Sequence, residues 1–156
     1  MIFFRYIPFC IAIFFGSSPA FASRDFPLAS CKRHNGTITE KSGVNTNKAL
    51  IKGMITKADI QEYCERDPGG STIKYGGKDT FAMCVEKIYR KEKDTQLIAI
   101  ANCSTQVLTF REGNNQEVQV RFPLAPNSDQ SCASGMPPLI SQFKILCPAA
   151  ANKMKM

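Results

Sequence analysis

The stretch DTFAMCVEKIYRKEKDTQLIAIA, residues 79–101, changes its hydrophobic period partway along. Behind the capping pair Asp79-Thr80, its first half places apolar side chains at helical spacing: Phe81, Cys84, Val85, Ile88 and Tyr89. From Leu97 to Ala101 the chain is continuously apolar, which is typical of a strand at the centre of a sheet. The stretch therefore predicts a helix followed by a central strand, in a fold of the α+β class.

A shorter helix is predicted before this stretch, from Lys57 to about Arg66. Thr56 can begin it with a capping box, and the Pro-Gly-Gly run at 68–70 ends it. Cys64 falls on the apolar face of this helix, as Cys84 does on the next. Because both cysteines face the core, we favour a disulfide between them.

Further strands are predicted on the C-terminal side. Gln106 to Arg111 and Val118 to Phe122 read as a hairpin around the turn residues 113–115, and Leu139 to Cys147 reads as a closing strand. The segment from Ala125 to Pro138 is expected to be a surface loop. We expect two helices packed on a roughly four-stranded antiparallel sheet, in a small disulfide-stapled domain.

The N-terminus has the plan of a secretory signal peptide. Arg5 precedes an apolar run, and small residues at Ala20 and Ala22 predict cleavage after residue 22. A membrane anchor is less favoured, because spanning a bilayer takes about 20 apolar residues and the apolar run here is shorter. We expect a signal peptide over 1–22, an irregular arm over 23–43, one α+β domain over 44–148 and a flexible tail over 149–156. Residues 44–55 fit either a short strand or a helical turn.

Cysteine usage indicates structural disulfides. Removal of the signal peptide takes away Cys10 and leaves an even set of six: Cys31, Cys64, Cys84, Cys103, Cys132 and Cys147. In an exported chain the default is three disulfides, and the spacings lack the paired cysteines of zinc sites. With Cys64 and Cys84 paired, Cys103–Cys147 could link two strand ends and would leave Cys31–Cys132, but the sequence leaves the full connectivity open among 15 possibilities.

Catalytic chemistry is weakly indicated. Cys31 and His34 are close enough in sequence for a reactive thiolate, but both lie on a polar arm beside the even cysteine set. Glu62 and Glu65 share a helix face and read better as a solvated surface than as paired catalytic acids. We expect no catalysis, no cofactor and no metal site, with a small secreted hydrolase as an alternative.

The charge suggests an acidic partner. The formal net charge is +7, and one of the basic residues lies in the predicted signal peptide. Such a charge speeds encounters with another protein or with an anionic envelope surface, and no motif for specific nucleic-acid binding is present. The candidate partner-binding residues lie in the glycine-containing segment between the helices and near the end of the second helix: Lys74, Tyr75, Lys78, Arg90, Lys91 and Lys93.

These observations predict a secreted or periplasmic, non-catalytic, protein-interaction domain without a transmembrane anchor after cleavage. A secreted effector and an inhibitor, binding a host or envelope protein, both fit. A basic protein that coats the envelope is a further alternative.

Overall fold

A computed structural model describes residues 23–31 and 33–154 of the chain. Six strands form one antiparallel sheet in which the spatial order equals the chain order. The predicted signal peptide lies outside the described residues. The elements are β1 (Ser23–Phe26), β2 (Gly36–Ser42), β3 (Ala49–Met54), α1 (Lys57–Arg66), α2 (Phe81–Glu92), β4 (Gln96–Asn102), β5 (Val107–Glu112), β6 (Val118–Arg121), α3 (Met136–Leu146) and α4 (Pro148–Lys153).

The sheet buries one of its faces. Ala49 of β3 pairs with Ala101 of β4, which pairs with Leu108 of β5, and all three are fully buried. Helix α3 packs against these same three strands, and one buried cluster joins the sheet to α1, α2 and α3. The opposite face is more open: Ile100 is 47% exposed. No helix among the described residues is long and apolar enough to cross a membrane.

The predicted α+β class is confirmed, together with both predicted helices and the central strand. The Thr56 hydroxyl accepts from the Asp59 backbone N–H, and the Asp59 carboxylate accepts from the Thr56 backbone N–H, which completes the capping box of α1. Thr80 caps α2 by accepting from the Met83 N–H. Strand β4 lies between β3 and β5, at the centre of the sheet.

The predicted irregular arm over 23–43 is wrong, because this segment contains β1 and β2. Phe26 and Ile38 are buried, while residues 39–42 of β2 are exposed and polar. A strand that is half exposed shows few apolar residues in sequence, and this hid the pattern. The segment that fitted either a strand or a helical turn forms β3.

The predicted C-terminal strand and flexible tail are also wrong. The segment assigned to the strand belongs to helix α3, in which Leu139, Phe143 and Leu146 are buried at helical spacing. The alternation around Lys144 suggested a strand only over a very short window. Residues 149–153 of the predicted tail belong to helix α4, in which Ala151 is buried. The described chain therefore has four α-helices and six strands, rather than two helices and about four strands.

The three disulfides are Cys31–Cys132, Cys64–Cys84 and Cys103–Cys147, so the favoured Cys64–Cys84 pair is confirmed and the other two are the pairs that the sequence left open. Cys64–Cys84 connects α1 to α2 as expected. Cys103–Cys147 joins the end of β4 to the end of α3, because the second element is a helix and not a strand.

Candidate interaction surface

The segment between α1 and α2, residues 67–80, is held by one carboxylate. Asp67 ends α1 in a left-handed conformation, and its two carboxylate oxygens accept four hydrogen bonds, from the backbone N–H and the hydroxyl of Ser71 and of Thr72, at 2.6–3.2 Å. The Thr72 hydroxyl contributes most, and together these bonds lower the pKa of Asp67 to about 2. The segment is therefore tied to the helix end from which it leaves.

The same segment closes on itself through its backbone. Gly77 donates to the Thr72 carbonyl at 2.8 Å, and Asp79 donates to the Ser71 carbonyl at 3.0 Å. A Cβ on Gly77 would stand 2.0 Å from the Ser71 carbonyl oxygen, so a glycine is needed for this close approach. Gly76 has a φ of +87°, which also favours glycine. The segment forms a closed loop rather than an open linker.

The disulfide Cys64–Cys84 fixes the base of this loop. It joins the last turns of α1 to the first turn of α2, and both sulfur-bearing residues are buried. Since the loop connects these two helices, the cross-link holds its ends in place. The loop is thus constrained by its own hydrogen bonds and by the disulfide that joins the two helices at its ends.

Exposed apolar side chains concentrate on this part of the molecule. Among the described residues, seven large hydrophobic side chains are strongly exposed, and four of them lie between residues 73 and 83. They are Ile73 (62% exposed), Tyr75 (47%), Phe81 (44%) and Met83 (54%). Tyr75 also donates its hydroxyl to the Glu65 carbonyl at 3.3 Å, and Lys74 lies over its ring.

Two adjoining grooves are lined by three of these residues, Ile73, Phe81 and Met83, and the grooves meet at Asp79. The first, of about 390 Å³, is lined by Ile73, Lys74 and Phe81, among others. The second, of about 530 Å³, follows the outer face of α2 and includes Met83 and basic side chains. We call the four apolar residues and their basic neighbours the link surface: Ile73, Tyr75, Phe81, Met83, Lys74, Lys78, Lys87, Arg90 and Lys91.

Some of the cations on this surface are already paired. Lys87 lies 3.3 Å from the Asp79 carboxylate, and Arg90 lies 3.4 Å from the Glu86 carboxylate. Lys74, Lys78 and Lys91 make no salt bridge with any of the residues that the structure describes, and all three are exposed. The link surface thus combines exposed apolar side chains with positive charge that no described carboxylate neutralises in a salt bridge.

Five of the six candidate residues from the sequence fall within the link surface. The sixth, Lys93, is the C-terminal capping residue of α2. Lys74, Arg90 and Lys91 line the grooves, whereas Tyr75, Lys78 and Lys93 do not.

Sequence reasoning missed most of the apolar part of this surface. Phe81 was expected on the buried stripe of α2, but it begins the helix and extends past the core. Met83 lies off that stripe, and Ile73 stands in a polar, glycine-containing segment. The sequence signal that could have predicted their exposure is an apolar side chain that lies outside the periodic pattern of a helix or strand.

The residues considered for catalysis are in structural roles. Cys31 is held in its disulfide. His34 is 3% exposed, with its Nε2 atom 2.9 Å from the Glu92 carboxylate and its Nδ1 atom 3.0 Å from the Asn35 carbonyl. Glu62 pairs with Arg66 at the surface, 3.3 Å apart.

The contacts of His34 change the pKa of both partners. Burial alone lowers the pKa of His34, but Glu92 and the Asn35 carbonyl outweigh it, and the pKa is raised above its usual value. The contact with His34 lowers the pKa of Glu92 against the opposing effect of burial. His34 and Glu92 therefore favour an ion pair that ties the N-terminal segment to the end of α2.

A third cleft, of about 310 Å³, contains the disulfide Cys31–Cys132 together with Arg33, Tyr63 and Arg66. Both cysteines are exposed, unlike Cys64, Cys84 and Cys147. Arg33 is engaged by the Glu112 carboxylate. This is the one disulfide of the three whose two residues both face solvent.

The part of the chain that the structure describes contains no cluster of three or more side chains suited to hold a metal ion. Comparisons of the chain with protein-family models, curated proteins and solved structures find no match.

Proposed function

We propose that this protein is an exported, disulfide-bonded, non-catalytic interaction domain that binds another protein through the link surface. The observation that carries the proposal is the exposure of Ile73, Tyr75, Phe81 and Met83 on one constrained loop and helix start. Contiguous apolar side chains with a polar rim are typical of interaction sites, and aromatic residues often dominate binding energy.

The constraint on the loop adds to this argument. Binding orders flexible groups at a cost in free energy, and a loop already held in place loses less. Asp67, Gly77 and the Cys64–Cys84 disulfide each restrict the segment that presents Ile73 and Tyr75. Such a surface is suited to specific recognition rather than to loose adhesion.

The three disulfides support a location outside the cytoplasm, because disulfides form and persist in oxidising compartments. A secreted effector acting on a host protein and an inhibitor retained in the periplasm both fit this location. They differ in where the protein accumulates: an effector is found in the medium or host tissue, and an inhibitor remains with the cells and slows its target at stoichiometric amounts.

The test is affinity capture from envelope and host extracts with the immobilised, oxidised protein beginning at residue 23. A Phe81→Ala/Met83→Ala double variant removes two of the four exposed apolar side chains of the link surface. Ile100→Ala is the matched control, because Ile100 is similarly exposed but lies on the open face of the sheet. We expect a partner that wild type and control retain and the double variant loses.

Two results would contradict the proposal. One is the absence of any retained partner. The other is retention that the double variant leaves unchanged but that disappears in about 1 M salt, where screening shortens to roughly 3 Å. The second result would favour a basic protein that coats anionic surfaces.

A further inference from the structure

We infer that the link surface recognises a protein segment in which apolar side chains are flanked by carboxylates. This inference rests on the proposed function and deepens it by naming the chemistry of the partner. It follows from the arrangement of the free cations around the two grooves.

The free cations stand on both sides of the exposed apolar side chains. Lys74 lines the first groove, and Lys91 lines the second groove at its far end, with Asp79 between them where the grooves meet. Phe81 and Met83 lie in the interval. The complementary segment therefore has an apolar centre and acidic residues toward both ends.

The helical part of the surface, from Phe81 to Lys91, sets a minimum length for that segment. Phe81 and Lys91 are ten positions apart on one helix, which corresponds to about 15 Å. An extended segment of about five residues, or a helix of about three turns, covers this distance. The partner needs only a short linear segment.

An anionic lipid surface fits less well. Glu65, Asp79 and Glu86 line the same two grooves as the lysines, so negative charge lies within the surface. A membrane attracts uniformly basic patches, and these carboxylates would be pressed against anionic headgroups. A protein segment can instead place its own cations near them, which favours a protein partner with a mixed charge pattern.

The experiment uses random twelve-residue peptides displayed on phage and selected on the oxidised protein beginning at residue 23. Enriched peptides are then synthesised, and their affinities are measured by fluorescence anisotropy. We expect them to carry Asp or Glu on both sides of an aromatic or aliphatic residue. A Lys74→Glu/Lys91→Glu variant and the Phe81→Ala/Met83→Ala variant should each weaken binding at least tenfold, and Lys144→Glu, an exposed charge change on α3, should change it less than twofold.

Three results would overturn the inference: no enrichment, enriched peptides without acidic residues, or affinities that Lys74→Glu/Lys91→Glu does not reduce. Binding to phosphatidylglycerol vesicles that Phe81→Ala/Met83→Ala abolishes, in the absence of peptide binding, would assign the surface to lipid. Failure here is distinguishable from failure of the proposed function, since a captured partner that requires Phe81 and Met83 but not the two lysines would leave that function standing.

Discussion

The Thr72 hydroxyl donates a hydrogen bond of 2.7 Å to the carboxylate of Asp67, five residues earlier in the chain. The Thr72 backbone N–H donates to the same oxygen at 2.6 Å. These two bonds hold the chain in a turn directly after α1, just before the first residues of the link surface.

Replacing Asp67 by Asn should lower the stability of the protein near neutral pH, since an amide accepts these bonds less strongly than a carboxylate. The pKa of Asp67 is lowered to about 2, so its contribution is fully present above the ordinary value of 3.8 and is lost as the pH falls through about 2. Urea unfolding between pH 2 and pH 7 should show that the wild type has a higher free energy of unfolding than Asp67→Asn. This difference should narrow only at the acidic end. The exposed Asp94→Asn variant should be as stable as the wild type across this range. Equal losses of stability in both variants would contradict a specific role for the Asp67 carboxylate.

Replacing Gly77 by Ala should distort the loop, because the new Cβ would stand 2.0 Å from a backbone oxygen that cannot move without breaking the turn. We expect a loss of about 1–3 kcal/mol in the free energy of unfolding, the range for overpacking. Gly69→Ala is the matched control, because its Cβ would meet its nearest neighbour at 3.6 Å. Chemical denaturation of both variants checks this, and similar losses would show that Gly77 is not under steric constraint.

The contact between His34 and Glu92 should make stability depend on pH. The raised pKa of His34 gives stability that is present below the ordinary value of 6.5 and lost as the pH rises through the folded value. The lowered pKa of Glu92 gives stability that is present above 4.5 and lost as the pH falls through the folded value. The contribution of the pair is therefore greatest between about pH 4.5 and 6.5.

NMR can check this directly, because His34 is the single histidine of the chain. Its imidazole resonance should titrate above 6.5 in the wild type and at a lower pH in Glu92→Gln. Stability should fall between pH 6.5 and 9 in the wild type and less so in the variant. Identical titrations in the two proteins would mean that Glu92 does not raise the pKa of His34.

The disulfide Cys31–Cys132 should be the first of the three to be reduced, since both of its residues are exposed beside a cleft that admits a small thiol. Limited treatment with dithiothreitol, alkylation and mass spectrometry should label Cys31 and Cys132 while the other pairs stay closed. Earlier labelling of the buried Cys64 and Cys84 would contradict this order.

The sequence predicts α1 and α2 well because their signals are local. The capping box of Thr56 and the cap at Thr80 lie within one turn of the helices that they begin. Their cysteines lie on the apolar stripes, which made the pairing of Cys64 with Cys84 predictable from helix geometry.

Helix α3 was missed because its buried face includes a polar residue whose hydrogen-bond partner lies far away in sequence. Gln142 is fully buried within it and donates its amide to the Pro27 carbonyl at 2.8 Å, across 115 positions in sequence. A buried glutamine interrupts the apolar periodicity, so the local pattern around it resembles a strand. Phe143 packs on Phe122 at the end of β6, another contact that local patterns do not show.

The sequence by itself determined the α+β class, the two central helices and the pairing of Cys64 with Cys84, because capping, periodicity and the placement of a cysteine on a helix face act over one or two turns. It also pointed to the glycine-containing segment and to most of the basic residues of the link surface. Only the tertiary structure decided that Phe81 and Met83 stay exposed, with Phe81 lining one groove beside Ile73 and Met83 lining the adjoining groove. Burial is a property of the packed molecule: in the first turn of α2 the packing covers Cys84 and leaves Phe81 and Met83 largely exposed.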